Sequence, residues 1–511
     1  MRLFATIAFT LPLLAVSNAV TVYEASGAAQ VARPLSLMMV FIQGEFPNGT
    51  YPKPRIDGVP AVTWQVDVKS RWPDGSIMTA FVSLPVSLSA NGQATVDFVR
   101  DTNACHLGSQ ATCEAAAMSQ AAILGAFGGA WDASIQGTAN SITYSASART
   151  MIGAGAWTYF LRGPVVTRII VESIMDYDFG WQWNGSNWQA PPNADYKSLH
   201  PIFDVALWAG HMETGWFLEN PWRTKAQLQQ FDLVFSSDQG TQYSKAGYRM
   251  AYKGGASYYA WRTPEPGAIF VDRNLKYLIA TKVLPPYDTS ITVNASTYTS
   301  FLNQWPGNVG TDDQGRPDPR SCTSQNPCAY IKTDMPGTGD HGSFGTIIGA
   351  QSAFLSAMSS PSFTIAQKLQ GYERIVLGSA DAAMTIRFHT RESAIMTGNS
   401  ALFNYLDDPV TPSFGRIFSV VANRYGRTHW YEDYGDYPYV SRCSGCPSDN
   451  HPWLEDVAHT PSPLPIAYIL SGRYAYLQTI LEWAGVAIGQ DHPYYDRQRE
   501  LGVMVGGGLN E

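Results

Sequence analysis

The chain has 511 residues, a length at which roughly two to four domains are expected. Only 15% of the residues are charged, the net charge is −8, and no run is rich in Lys or Arg, so nucleic acid is excluded as an expected partner. Abundant glycine, proline and aromatic residues are typical of loop-rich β structure, and 15 Trp and 27 Tyr suit a protein that handles carbohydrate, since aromatic faces stack on sugars.

The first nineteen residues have the pattern of a secretory signal. Arg2 is their one charge, an apolar run follows from Leu3 to Val16, and Ser17 and Ala19 place small residues where a signal peptidase cleaves. The run is shorter than the ~20 residues that a membrane-spanning helix needs. We therefore expect cleavage after Ala19, no membrane partner for the mature chain, and a secreted, periplasmic or extracellular location.

Six cysteines fall into three close pairs. In an exported chain an even number of cysteines favours disulfides. The pair with Cys-x-x-Cys spacing also fits a zinc or redox site, but zinc needs a second ligand pair and the redox motif needs a βαβ context. The predicted disulfides are Cys105–Cys113, Cys322–Cys328 and Cys443–Cys446.

The first two zones of the chain predict β structure. Leu35–Ile42, Val62–Val68 and Ile77–Leu84 read as strands of a small β-barrel domain over 20–100, and the Ala/Gly/Ser-rich stretch 101–140 reads as a linker or insertion. Val165–Glu172 and Gln230–Phe235 are the clearest strands of a predicted β-sandwich over 141–293.

From about residue 294 to the end the apolar period changes to that of helices. Phe344–Met358, Phe363–Met384 and Pro465–Ile488 carry apolar residues at helical spacing. Pro463 and Pro465 fit a helix start, and Gly485 and Gly489 lie near its end. Paired helices separated by long loops predict a helical, (α/α) toroid-like domain over 294–511.

Several short motifs carry a family resemblance. Pro60-Ala61-Val62, Arg71-Trp72-Pro73-Asp74-Gly75-Ser76-Ile77 and Val82-Ser83-Leu84 resemble the N-terminal barrel domain of the exo-acting rhamnogalacturonan lyases, and Gly163–Thr167 is similar to the region that follows. Asp456–Pro461 and Tyr468–Gly472 resemble toroid helices that carry a loop histidine. The resemblance implies a polysaccharide lyase in which a small β barrel is joined to further β structure and a helical toroid; no catalytic residue is carried over from it.

The densest group of aromatic and ionisable residues runs from Arg424 to His459. Such crowding is uncommon in a purely structural loop, so we interpret the segment as a substrate cleft, with an ordered surface loop as the alternative. The catalytic candidates are His459, His341, His389, Tyr434 and Arg391. The candidates for substrate binding are Trp430, Tyr431, Asp433, Tyr437, Trp453, Arg387 and Arg424.

Each remaining candidate also has a structural interpretation. Asp340 before His341 fits a helix N-cap. Arg387 and Arg391 share a helix face, where they would clamp a carboxylate or pair with acidic neighbours. His200 and His211 are interpreted as structural histidines. The acidic run 312–318 has oxygen ligands suited to calcium without the EF-hand spacing, so an acidic turn is the simpler interpretation and no cofactor is expected.

These features predict a secreted carbohydrate-active enzyme that binds a polysaccharide or oligosaccharide. The first hypothesis is a lyase that cleaves a uronate-containing glycan by β-elimination, with a His or Tyr base and an Arg that neutralises the carboxylate. The first alternative is a glycoside hydrolase that uses two of Glu432, Asp433, Asp436, Glu455 and Asp456. The second alternative is a non-catalytic extracellular protein for glycan binding or surface assembly.

If His459 is the catalytic acid or base, His459→Ala lowers turnover by ~100-fold or more with a nearly unchanged melting temperature. Trp430→Ala should mainly weaken substrate affinity. Steady-state kinetics with a thermal melt of each variant separate the two roles. Full activity of His459→Ala removes this histidine from the mechanism, and a collapsed melting temperature assigns it to the structure.

Overall fold

The computed structural model describes residues 16–139, 141–172, 182–183, 188–189, 199–219, 229–250, 254–262, 269–305, 309–321, 330, 347–385 and 463–490. This part of the chain is rich in β-sheet and has more than one core. Within it, no helix is both long and apolar enough to cross a membrane.

Of the described strands, all but the last two lie before residue 274. They are β1 Val20–Glu24, β2 Gln30–Val40, β3 Tyr51–Ile56, β4 Val59–Pro60, β5 Gln65–Arg71, β6 Ile77–Leu88, β7 Gln93–Asp101, β8 Ala133–Ala139, β9 Ile142–Ser147, β10 Trp157–Arg162, β11 Val166–Val171, β12 Gln182–Trp183, β13 Trp188–Gln189, β14 His200–Trp208, β15 His211–Glu219, β16 Gln229–Ser237, β17 Gly240–Met250, β18 Gly255–Trp261, β19 Ile269–Arg273, β20 Gly310–Thr311 and β21 Pro317–Asp318.

The described helices lie between the strands and after them, and those longer than six residues all follow β19. The described helices are α1 Gln110–Ala115, α2 Gln120–Gly125, α3 Ala148–Gly153, α4 Leu275–Ala280, α5 Ala295–Gln304, α6 Gly349–Met358, α7 Ile365–Gly371, α8 Gly378–Ala383, α9 Leu464–Ser471 and α10 Tyr474–Gln490. A 3-10 helix spans Ala126–Gly129, and a π-helix, Tyr372–Leu377, joins α7 to α8.

The N-terminal domain consists of two sheets that enclose one core. Their strand orders are β19-β1-β7-β3-β4 and β2-β6-β5. Alternation places Val20 and Val22 of β1 inside, beside Val82 and Leu84 of β6. The strand β19 lies in the zone that the sequence assigns to the sandwich, yet it pairs with β1, Val20 opposite Arg273. The chain therefore returns to its first domain after the second is built.

The second β layer is a pair of sheets with the orders β10-β11-β14-β15-β18 and β17-β16-β8-β9. Their facing sides share a core that includes Trp131, Phe203, Trp216 and Phe235. The stretch 101–140, expected to be a linker or insertion, supplies α1, α2 and β8, so part of it belongs to this layer.

The helices cover the other side of the first of these two sheets. The predicted helix 363–384 is observed as one continuous rod in which a π-helix separates α7 from α8, and it begins with a capping box between Thr364 and Gln367. The predicted helix 465–488 is two helices, because Gly472 adopts a left-handed conformation (φ 68°) and ends α9. A Cβ at Gly472 would overlap the Phe81 ring of β6.

Three parts of the chain meet at the Phe160 ring of β10. The Lys69 ammonium of β5 and the Arg168 guanidinium of β11 lie 4.3 Å and 5.1 Å from the ring centroid. Phe81 and Tyr474 pack edge-on against the same ring, at centroid distances of 5.5 Å and 5.3 Å. The ring therefore joins the N-terminal domain, the central sheet and the start of α10.

The predicted disulfide Cys105–Cys113 is confirmed, with a Cα–Cα distance of 6.0 Å. It holds the loop before α1 against β5, where Cys105 forms a bridge with Gln65. The other two predicted pairs lie outside the described residues.

Asn18 lies within the predicted signal, yet it makes specific contacts with the N-terminal domain. Its side chain donates to the Phe98 carbonyl (3.0 Å) and accepts from the Phe98 amide (3.1 Å), which prolongs the β1–β7 ladder. It also donates to Glu45 Oε1 at 2.8 Å. Cleavage after Ala19 stays a prediction, and it would remove these hydrogen bonds.

Glu24 at the end of β1 gives a testable pH dependence. Burial opposes ionisation, but hydrogen bonds from the Ser26 side chain and from the amides of Asn91, Ser26 and Gly27 outweigh it and lower the pKa of Glu24 from 4.5 to about 2. A lowered folded-state pKa stabilises the protein above pH 4.5, and this contribution is lost as the pH falls towards 2.

Glu24→Gln should therefore lower the free energy of unfolding by about 1.5–3 kcal/mol at pH 7, because the hydrogen bonds to a charged acceptor are lost. Denaturant titrations at pH 7 and near pH 3 measure this difference, which should shrink at the lower pH. The exposed Asp57→Asn, on a turn of the same domain, is a control for a change of charge. A Glu24→Gln deficit that is equal at both pH values contradicts the prediction.

Candidate functional site

The site residues predicted from the sequence all lie outside the described residues. They are His459, His341, His389, Tyr434, Arg391, Trp430, Tyr431, Asp433, Tyr437, Trp453, Arg387 and Arg424. Their roles stay predictions. In the acidic run, the Asp312 carboxylate accepts from the Arg316 side chain at 2.7 Å and from two backbone amides, as an acidic turn requires.

The described residues place a different group of functional side chains on the sheet β10-β11-β14-β15-β18. Side chains alternate along each strand, so Ile169 and Val171 of β11 face the sandwich core whereas Ile170 faces the helices. Two cross-strand rows on the helix-facing side each carry two polar or charged residues among apolar ones. One runs Arg168, Ala206, Glu213, Trp261, and the next runs Ile170, Asp204, Gly215, Tyr259.

Arg168 and Asp204 form a buried ion pair between these rows. The Arg168 Nε atom lies 2.6 Å from Asp204 Oδ1, and its Nη2 atom contacts Oδ2, so the pair is bidentate. The side chains are 7% and 5% exposed. Arg168 also donates to the Gly472 carbonyl (2.9 Å), while Asp204 accepts from the Tyr474 amide (3.3 Å). This pair therefore fixes the junction of α9 and α10 to the sheet.

Tyr259 completes this frame from the edge strand. Its hydroxyl donates to Asp204 Oδ2 (3.0 Å) and accepts from the Ala475 amide (3.2 Å) in the first turn of α10. A Cβ at Gly215 would overlap the Tyr259 ring, so only glycine lets the ring cross the neighbouring strand to reach Asp204. The polar groups of Arg168, Asp204 and Tyr259 are thus occupied by one another and by the start of α10.

Arg473 lies between α9 and α10, next to the Tyr259 ring. Its guanidinium lies 4.5 Å from the centroid of the Tyr259 ring, and Nη1 donates to the Tyr476 hydroxyl at 3.3 Å. Burial opposes its charge, but Tyr476, Tyr372, Asp381 and Glu213 outweigh burial and raise the pKa of Arg473 above its usual value. Arg473 therefore stays a cation.

Glu213 and Tyr372 act electrostatically on Arg473 and on each other. Burial raises the pKa of Glu213 above 4.5, although Arg473 and Arg168 partly offset it. Burial also raises the pKa of Tyr372, with Arg473 acting to lower it and Glu213 to raise it. Among the described residues, neither the Glu213 carboxylate nor the Tyr372 hydroxyl makes a hydrogen bond. We call Glu213, Tyr372 and Arg473 the junction site.

The junction site has the composition of a ligand site. Its three side chains are half-buried, and they keep hydrogen-bonding capacity that no other described residue uses. Trp261 pairs with Glu213 across β15 and β18, and the Arg33 guanidinium of β2 lies 5.9 Å from the Trp261 ring. A cation, a carboxyl group with a raised pKa and a phenol can bind a carboxylate and transfer protons beside it.

A second polar cluster lies at the opposite end of the same face. His200 Nε2 is 3.1 Å from Glu172 Oε1, and Gln478 of α10 donates to Glu219 Oε2 at 3.2 Å. His200 is buried, and Glu219 and Glu482 are fully buried. Because a substrate has to reach its catalytic groups, this cluster is less suited to catalysis than the junction site.

Sequence reasoning missed the junction site because its members are far apart along the chain. In the sequence, Glu213 has the pattern of a solvent-facing strand residue. Tyr372 and Arg473 lie in segments with helical spacing and belong to no recognisable motif. The one local signal is Gly472-Arg473, a glycine that breaks the apolar helical period directly before a charge.

Comparison with known proteins does not extend this assignment. No family model matches the chain, and no curated protein matches it. The chemistry of the junction site is therefore argued from its own residues.

Arg168→Met should strongly destabilise the fold, because it leaves the Asp204 charge buried without its partner. The expected loss in the free energy of unfolding is about 3–5 kcal/mol by denaturant titration. Lys53→Met is the matched control: the Lys53–Asp101 pair is 28% and 17% exposed, so its loss should cost less than about 1 kcal/mol. Equal losses in both variants contradict the assigned role of the Arg168–Asp204 pair.

Proposed function

We propose that the protein is a secreted polysaccharide lyase that cleaves a uronate-containing glycan by β-elimination at the junction site. The proposal rests on one observation: Arg473, Glu213 and Tyr372 act electrostatically on one another, and no described residue hydrogen-bonds to the Glu213 carboxylate or the Tyr372 hydroxyl. The exo-lyase resemblance, the signal-like N-terminus and a toroid-like arrangement of the C-terminal helices are further parts of this proposal.

β-Elimination needs a cation that neutralises the uronate carboxylate and a base that takes the neighbouring proton. Arg473 supplies the cation, and its guanidinium packs over the Tyr259 ring. Glu213 supplies the base, since a raised pKa brings a carboxyl group closer to the pH at which it accepts and returns a proton efficiently. Trp261, which pairs with Glu213 across the strands, offers an aromatic surface for a neighbouring sugar.

The same geometry argues against hydrolysis at this site. A hydrolase needs two carboxyl groups across the glycosidic bond. Glu213 is one, but Asp204, the acidic residue that acts on its pKa, is bound by Arg168, Tyr259 and the Tyr474 amide. Elimination needs a single carboxylate base and is therefore the better match.

Incubation with a panel of acidic and neutral polysaccharides tests the proposal. Ultraviolet absorbance of an unsaturated uronate, together with new reducing ends, is the expected result. Reducing ends without absorbance would mean hydrolysis, and neither signal would favour a glycan-binding protein.

In the active protein, Glu213→Gln should lower turnover by roughly 100-fold or more, because the base is lost. Arg473→Gln should lower kcat/KM by about 10- to 100-fold, because a charge-assisted contact is lost. Glu114→Gln, a carboxylate on α1 with a 37% exposed side chain, is the control and should leave both constants unchanged. Unchanged kinetics in Glu213→Gln contradict the assignment of the base.

A further inference from the structure

We infer that Tyr476 and Asp381 are positioning residues, which fix the Arg473 guanidinium so that its Nε–Nη2 edge binds the uronate carboxylate of the substrate. This inference rests on the proposed function and adds the groups that orient its cation. Direct hydrogen bonds join the three side chains, although they come from different elements. Asp381 lies on α8, Tyr476 lies on α10, and Arg473 lies between α9 and α10.

The Tyr476 hydroxyl lies between a carboxylate and a guanidinium. It donates to Asp381 Oδ1 at 2.8 Å and accepts from Arg473 Nη1 at 3.3 Å, so it acts as donor and acceptor at once. The Tyr476 side chain is fully buried, with 0% of its surface exposed, and it therefore cannot touch a polysaccharide. Any effect of this hydroxyl on a substrate has to pass through Arg473.

Asp381 is itself held in place. It lies in the first turn of α8, which continues the rod formed by α7 and the π-helix. Its Oδ1 atom also accepts from the Ser257 hydroxyl of β18 at 3.4 Å, which ties the carboxylate to the central sheet. Of these two hydrogen bonds the shorter is the one from Tyr476, so a fixed carboxylate sets the position of the tyrosine hydroxyl.

Two contacts orient the Arg473 side chain. Its guanidinium packs over the Tyr259 ring, 4.5 Å from the ring centroid, and its Nη1 atom donates to Tyr476. The ring contact fixes how far the guanidinium lies from the ring, but it leaves the planar group free to rotate over the ring face. The hydrogen bond to Tyr476 removes that freedom, so the remaining N–H groups point in one direction.

The remaining edge of this guanidinium matches a carboxylate. The Nε and Nη2 atoms of Arg473 make no hydrogen bond to any residue that the structure describes, and the side chain is only half-buried. Arg168 uses the same two atoms to bind both oxygens of Asp204. Such bidentate contacts are a preferred way for arginine to recognise a carboxylate. Arg473 therefore offers a substrate the edge that Arg168 gives to Asp204.

A double-mutant cycle in the full-length protein tests the inference, on the acidic polysaccharide of the panel from which the wild type releases an unsaturated uronate. Tyr476→Phe should lower kcat/KM by about 10-fold, because Arg473 loses its orienting hydrogen bond. In the Arg473→Gln background the same change should cost less than about twofold, since no guanidinium is left to orient. A purely structural role of the hydroxyl would lower kcat/KM equally in both backgrounds.

Substitutions of Asp381 give a second comparison, which decides the matter if Tyr476→Phe folds poorly in a thermal melt. Asp381→Ala removes the acceptor of the Tyr476 hydroxyl and should lower kcat/KM by about 10-fold. Asp381→Asn keeps an oxygen acceptor at the same place and should stay within about threefold of the wild type. Equal losses in the two variants overturn the inference.

Tyr243→Phe is the matched control, because the Tyr243 hydroxyl donates to Asp318 Oδ2, also at 2.8 Å, and its ring lies in the core of the second β layer. It should leave kcat/KM unchanged. Full activity of Tyr476→Phe, or a loss that does not depend on Arg473, would overturn the inference and leave the proposed function standing. No elimination by the wild type would overturn the proposed function and this inference together.

Discussion

The buried pair of Arg168 and Asp204 is the interaction on which the described structure depends. It lies in the middle sheet, yet its remaining hydrogen bonds go to Gly472 and Tyr474, so a residue pair of the second β layer sets where α10 begins. A buried pair of this kind contributes little net stability, because desolvation opposes the Coulomb attraction, but breaking it is costly. Its role is therefore to specify one arrangement of helix on sheet.

That arrangement also decides where the junction site forms. Arg473 follows Gly472, and its position is fixed by the contacts of Gly472, Tyr474 and the Tyr259 ring. Phe160 extends the same constraint to the N-terminal domain through Lys69 and Phe81. Among the described residues, Arg473 is thus held by neighbours that are hydrogen-bonded to one another, an arrangement that fixes side chains in place.

The sequence predicts local structure well and tertiary placement poorly. The alternation in Val165–Glu172 and Gln230–Phe235 marks β11 and β16, and the close spacing of Cys105 and Cys113 predicts their disulfide. Alternation does not indicate which sheet a strand joins, so the pairing of β19 with β1 could not be predicted from the sequence. The junction site was missed for the same reason, since Glu213, Tyr372 and Arg473 meet through packing alone. The segment with the strongest sequence signal, 424–459, lies outside the described residues.

The return of β19 to β1 has a consequence for the order in which the protein folds. The N-terminal core stays open along one edge of β1 until residue 273 has been synthesised, although β1 to β7 are complete by residue 101. Contacts so distant in sequence form slowly, and an unpaired strand edge invites association with other chains. During synthesis the nascent chain therefore spends its most vulnerable interval between these two points, when a chaperone that binds extended segments would matter most.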